Sequence, residues 1–283
     1  MYHRVLDNED VFSLSVQNFR QQMAYLSKNY QVIPIKELLR LMNEGGLRSR
    51  HVALTFDDGH LDFYENTWPI LKEFSLPASL YVTTEFVNAR IWLWPDLLKF
   101  VLNNTSIESI NFPGLGEVRI FNERNAAWKK MANHLLKYNS LERLAHIKSM
   151  ASALDVELPK SPVEPFKPLN WKQLKEMEAD GLDIGSHTLS HPILSLETKR
   201  HIFKELFESR NIIAEQIGYV PEGICYPNGM LDDVSADVIA EAERHYRYGL
   251  MACRDVPIAS KYMIGRIAAP QDIEEFKLRL VKG

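Results

Sequence analysis

Two short segments hold the residues best suited to chemistry. The first is His51-Val-Ala-Leu-Thr-Phe-Asp57-Asp58-Gly59-His60, an apolar run that ends in paired carboxylates, a glycine and a histidine. Val, Leu, Thr and Phe favour a strand and glycine permits a sharp turn, so Asp57 and Asp58 are expected at the exit of a central strand. Adjacent carboxylates repel, and in a partly dry cleft a divalent cation at one of them removes the objection to ionising both. An Asp-Asp-Gly by itself is equally an ordinary solvated turn. The second segment, Leu182-Asp-Ile-Gly-Ser-His187-Thr-Leu-Ser-His191, delivers two histidines four residues apart after another strand-like run. On a turn of helix that spacing puts both imidazoles on one side. Two imidazoles and one carboxylate suit zinc and its neighbours, and three protein ligands leave positions for water and substrate, as in a catalytic site.

The elements that must bring these segments together follow an alternating pattern. Strands are expected at Tyr2–Val5, 31–35, 52–56, 78–83, 182–186, 223–226, 248–253 and 263–268. Between them, helices are expected over 15–26, 36–43, 66–74, 171–179, 199–217 and 234–245. This βα alternation is that of a parallel sheet or barrel. It breaks at about 88–168, where a mainly helical insertion is expected: Trp92 and Trp94 lead into a helix at 96–102, a β-like patch spans 107–121, and helices cover 126–138 and 141–154. Prolines 159, 162, 165 and 168 then punctuate a linker-like stretch. The whole chain, 1–283, reads as one domain carrying this insertion. In a parallel barrel all strand C-termini open on one face, where sites are built. Polar groups stand at five expected exits: His3 with Arg4, Asp57 with Asp58, His187 with His191, Tyr226 to Gly229, and Arg254 with Asp255.

Composition narrows the class of function. A hydrophobic share of 46% and a charged share of 25% are those of a globular protein, and a net charge of -4 supplies no basic field for nucleic acid. Two cysteines, Cys225 and Cys253, are too few for a disulfide framework and lie in no zinc pattern, so both are expected to pack on strands. No run approaches a membrane span, and Met-Tyr-His-Arg-Val is no signal peptide. A cytoplasmic location is therefore expected if the sequence is the whole gene product; a leader removed ahead of it would make the protein exported.

Thr-Phe-Asp57-Asp58-Gly, Ser-His187-Thr-Leu-Ser-His191-Pro and Tyr226-Pro-Asn-Gly, in this order, resemble the signatures of the polysaccharide deacetylase family, also called the NodB homology domain or carbohydrate esterase family 4. The opening Tyr2-His3-Arg4-Val5 resembles the subset beginning with a Tyr-His motif, and Trp92 to Trp94 resembles a tryptophan-containing insertion of some members. The resemblance implies a distorted (β/α) barrel of about seven parallel strands. It also implies metal-dependent removal of an acyl group from a sugar, with Asp57 as general base and Asp58, His187 and His191 as ligands, most simply of Zn2+. Tyr226, Pro227 and Asn228 would line the substrate, and a backbone N–H near Tyr226 would help hold the oxyanion.

The pattern is incomplete. Many members carry a late Leu-x-His as general acid, whereas the last histidine here is His245, inside an expected helix; Ile224-Cys-Tyr-Pro replaces an Arg-Pro motif. His3 is the candidate acid, or else holds structure by hydrogen bonding. Arg266 pairs with Asp57, or else makes a surface salt bridge. Trp92 and Trp94 stack on a sugar or belong to the core, and His60 is expected to pack. The resulting expectation is a metal-dependent deacetylase of an N-acetylated saccharide, a precursor or component of a bacterial surface glycan. An insertion walling the cleft would favour a chain end or small substrate. The alternatives are hydrolysis of an O-acetyl ester, formamide or cyclic amide, or a non-catalytic saccharide-binding barrel.

Overall fold

The computed structural model describes residues 1–7, 13–48, 50–256 and 260–282. Its centre is a five-stranded, all-parallel sheet in the order Tyr248–Leu250, Gly223–Cys225, Asp183–Ser186, Ala78–Val82, Leu54–Phe56. These strands are short and almost wholly buried, as expected for a parallel sheet covered on both faces. Two segments extend the curl by single bridges: Tyr2 beside Phe56 at one edge, and Ile264 beside Leu250 at the other. Backbone bonds then join the two edges, from the Met1 amine to Ile267 O at 2.9 Å and from Ala269 N to Met1 O at 3.0 Å.

Five regular strands thus stand where about seven were expected. The first expected strand splits: Tyr2 reaches the sheet, while Arg4–Val5 pairs with Ser13–Leu14. The last is cut short because Arg266 N–H turns to Cys253 O. The expected 52–56 strand is also two pieces. His51–Val52 pairs with Gln31–Val32, and Leu54–Phe56 enters the main sheet.

Helices pack around this sheet. Val16–Asn29 is capped by the Ser15 side chain and buries Phe19, Met23 and Leu26. Trp171–Ala179 opens with an Asn170/Gln173 capping box. Lys199–Ile217 starts at a Thr198 cap and ends at Gly218 in a left-handed conformation. A final helix, Ile273–Lys282, was not anticipated; its Phe276 is buried in the main core with Phe19, Phe56, Leu80 and Ile184. Within 88–168 lie the helices Trp94–Asn104, Arg124–Leu135 and Ser140–Ala153 and an antiparallel hairpin, Ser109–Phe112 with Gly116–Arg119. They share a second apolar cluster containing Leu98, Val101, Ile120, Met131, Leu135 and Ile147. No helix among the described residues is long and apolar enough to cross a membrane.

A buried ion pair ties the first residues to the segment after Gly59. Arg4 donates to Asp62 Oδ1 through Nε at 3.1 Å and Nη2 at 3.0 Å, and Val5 N donates to Asp62 Oδ2 at 2.8 Å. Arg4 also bonds Pro165 O, at the end of the insertion. Removing one member of such a pair strands the other charge in the interior. Asp62→Ala is expected to cost about 3–5 kcal/mol, read as a lowered urea midpoint at unchanged slope.

Candidate active site

The Leu54–Phe56 strand leads directly to the two carboxylates, and Asp57 N still donates to Tyr2 O at 3.1 Å. Asp58 and Gly59 follow with φ of 77° and 98°. Aspartate tolerates the left-handed region better than most residues, and at Gly59 a Cβ would come within 3.2 Å of the Val82 side chain as well. This turn sends the neighbouring carboxylates to different partners.

Asp57 is gripped by Arg266, with Nη1 to Oδ1 at 2.8 Å and Nη2 to Oδ2 at 2.7 Å. Burial alone would push the Asp57 carboxyl up; the guanidinium beside it outweighs burial and holds it well below the usual carboxylate range. Arg266 is itself fixed by Nε donation to Met251 O at 2.8 Å and by Nη2 donation to Cys225 Sγ at 2.8 Å. Burial pushes the Cys225 thiol up, so it stays neutral; its sulfur lies 3.4 Å from Asp57 Oδ2. His3 Nε2 stands 3.8 Å from Asp57 Oδ2, and its side chain is 42% exposed, on the open side of this otherwise buried group.

Asp58 faces the histidines. Its Oδ1 is 3.4 Å from Nε2 of His187 and 3.4 Å from Nε2 of His191. Oδ1 is buried and has no hydrogen-bond partner. His187 Nδ1 bonds Cys225 O at 2.8 Å; a carbonyl only accepts, so Nδ1 carries a proton, and in the neutral ring it is Nε2 that would offer its lone pair on the Asp58 side. Three donor atoms therefore converge, all three residues being buried and their ligand atoms within 4.8 Å of one another. An orphaned carboxylate oxygen opposite an imidazole lone pair is what a cation would satisfy, and the N, N, O set fits a divalent transition metal. Asp57, His187 and Cys225 also lie close enough to count as a ligand group, but Arg266 already occupies Asp57 and would repel an ion there.

The imidazoles do not meet on a helical turn, as their spacing suggested. Residues 187–193 are irregular, with φ of 70° at Thr188 and 62° at His191. His187 continues the sheet ladder by donating to Val82 O at 2.9 Å, and Thr188 Oγ1 accepts from His191 N at 3.0 Å. The backbone reversal, not 3.6-residue periodicity, brings the second ring to the first.

Other expected site residues fall outside this cluster. Tyr226 is 1% exposed, with its ring in the core beside Leu206, Val238 and Tyr246. Its N–H donates to Leu250 O at 3.1 Å, so that group is spent in the sheet and is not an oxyanion donor. Pro227 is buried; Asn228 is exposed, at φ 60°, and its amide donates to Asp233 Oδ2 at 2.5 Å. Trp92 Nε1 donates to Pro159 O at 3.2 Å, and Arg143 lies 4.8 Å from the Trp94 ring centroid; both tryptophans are half-buried against the insertion's core. His60 packs edge-on to Phe86 and bonds Asp96 Oδ2 through Nε2 at 2.7 Å, which brings the start of an insertion helix beside Asp58. Sequence reading missed Cys225 and Asp96 as neighbours of the site, because nothing local marks either.

Comparison with known proteins identifies the family. Residues 44–247 match the family model described as polysaccharide deacetylase. The poly-beta-1,6-N-acetyl-D-glucosamine N-deacetylase of Staphylococcus aureus strain MRSA252 is 23% identical over 278 residues, covering 95% of this chain and 71% of that protein. Among solved structures, Streptococcus pyogenes deacetylase PplD in complex with acetate superposes with a TM-score of 0.66 at 19% identity, covering 99% of this chain and 96% of that one. IcaB from Ammonifex degensii gives 0.64 at 17% identity, covering 100% and 95%. At such identities the two structures speak for the fold, whereas the family model spans well over half of the 283 residues. This chain belongs to the polysaccharide deacetylase family.

Proposed function

We propose that the protein is a metal-dependent N-deacetylase of a bacterial surface glycan, acting on β-1,6-linked N-acetylglucosamine like its named staphylococcal relative. The reading includes one barrel domain with 88–168 as an insertion, and zinc as the ion. The observation that carries it is the convergence of Asp58 Oδ1 with the two Nε2 atoms, next to an Asp57 kept ionised by Arg266.

Asp58, His187 and His191 would hold the ion. When bound, a divalent ion acidifies the attacking water and draws charge from the acetyl carbonyl oxygen. Asp57 takes the water's proton as the C–O bond forms. The C–N bond then breaks, giving acetate and an amine, and the leaving nitrogen must be protonated as it departs. His3 is proposed to deliver that proton, being open to solvent and 3.8 Å from the oxygen that collected one. Arg266 contributes by keeping Asp57 charged where burial alone would neutralise it.

The direct test is acetate and free-amine release from β-1,6-linked N-acetylglucosamine oligomers. Dialysis against a chelator is expected to abolish release, and one equivalent of Zn2+ to restore it; chelator-resistant turnover overturns the metal reading. Asp57→Asn should lower kcat by about 10²–10⁴-fold with zinc still bound at one ion per chain by atomic absorption.

Arg266→Met gives the pH test. The wild-type Asp57 is held below the ordinary carboxylate range, so its own protonation should not set the acid limb, which falls instead to the histidines that must be neutral to hold an ion. Without the guanidinium, burial raises the carboxyl, and the acid limb of kcat/KM moves to higher pH.

A further inference from the structure

The segment between the two metal-facing histidines is gripped from behind by a buried glutamate. Glu205, on the Lys199–Ile217 helix, is 0% exposed. Its Oε2 accepts from Leu189 N at 3.0 Å and Ser190 N at 2.8 Å, and its Oε1 accepts from Ser190 Oγ at 2.6 Å. The opposite side of the same segment is held by Thr84 N donating to Thr188 O at 3.2 Å and Glu85 N donating to Leu189 O at 2.9 Å. Residues 188–191 thus sit between a short helix following one sheet strand and one carboxylate, in a conformation that includes left-handed backbone at Thr188 and His191. Such backbone persists only where its surroundings over-determine it.

A second chain of contacts runs outward. His201 Nε2 lies 3.4 Å from Glu205 Oε1, and His201 Nδ1 bonds Glu197 Oε2 at 2.6 Å. Glu197 Oε1 accepts from Ser140 N at 2.8 Å, at the start of an insertion helix. Bonding to Glu197 and then to Glu205 pushes His201 up to about 10, so near neutral pH it carries the positive charge that balances the two carboxylates. A buried carboxylate is a costly way to fill space that an apolar side chain would fill. Its three hydrogen bonds to two consecutive residues, Leu189 and Ser190, locate its use.

We propose that Glu205 is the positioning residue of the metal site: it fixes the 189–190 backbone so that His191 Nε2 meets Asp58 Oδ1 and His187 Nε2, with His201 and Glu197 linking this clamp to the insertion. Glu205 touches neither substrate nor ion. This inference rests on the metal reading above, and the test separates the two.

The experiment compares wild type, Glu205→Gln and Ser190→Ala for Zn2+ affinity by chelator competition, for thermal midpoint of the metal-free protein, and for KM and kcat. Glu205→Gln keeps the shape but places an amide among backbone donors. It is expected to weaken zinc binding by about 10–100-fold, with KM little changed. A general packing role would instead lower the metal-free midpoint and leave zinc affinity alone. Should Glu205→Gln fail to fold, Ser190→Ala still decides, because it removes the hydroxyl bond to Glu205 Oε1 and leaves the carboxylate in place; it is expected to weaken zinc by a smaller factor. Zinc affinity equal to wild type in the folded variants overturns the role of Glu205. Absence of zinc binding by the wild-type chain overturns the metal reading, and this inference with it.

Discussion

Two carboxylates on consecutive residues, both buried, are the constraint around which this protein is arranged. Each must be ionised to be useful, and side by side at the end of one strand they oppose each other's ionisation. The left-handed backbone at Asp58 resolves the conflict by aiming them at different partners. Asp57 turns to a guanidinium that grips both of its oxygens. Asp58 turns to two imidazoles and keeps an oxygen without a hydrogen-bond partner. One carboxylate is thereby committed to an internal cation, and the other is left suited to an external one. That asymmetry gives two neighbouring identical residues different electrostatic surroundings.

The curl of the sheet makes the arrangement possible. Arg266 comes from the far end of the chain, 209 residues from Asp57. It reaches Asp57 because Ile264 borders the Tyr248–Leu250 strand while Tyr2 borders Phe56, and the ends then bond to each other. Cys225 lies at the end of a strand between these edges. Its carbonyl orients His187 and its sulfur accepts from Arg266, so one residue touches the partners of both carboxylates. An open sheet with the same strands would leave Asp57 buried without its counter-charge, where burial would raise its pKa.

How much of this was legible follows from the range of the interactions. The Asp-Asp-Gly strand exit and the paired histidines are local patterns, and the structure brings both segments together. Arg266 was visible only as one side of an even choice, since no local signal pairs it with a residue across the chain. Tyr226 shows a different limit. Successive residues of a strand face opposite sides, so a one-residue difference in reading moves the functional side chain. Here Cys225 faces Asp57 and Tyr226 faces the core, although tyrosine is the more eye-catching residue. The histidine spacing pointed to the right pair through the wrong geometry, because four residues of irregular chain with two positive φ angles can do what a helical turn does. Five regular strands form the sheet, and the remaining β-rich sequence adds only one bridge at each edge before turning to other partners.

The insertion belongs to the same economy of contacts. Its aromatic entry residues are built into its own core: the Trp92 indole bonds Pro159 O and the Trp94 ring lies against Arg143. Among its attachments to the barrel, three polar ones occur at separate places. Pro165 O receives Arg4, Asp96 receives His60 beside Asp58, and Ser140 N donates to Glu197 behind the His187–His191 segment. Two of these three lead within one or two residues' contact of a metal-facing side chain. A mobile lid would be joined at a hinge and free elsewhere, whereas contacts on several sides of a site resist such motion. The seating of residues 88–168 and the geometry of Asp58 and His191 are therefore coupled through these contacts.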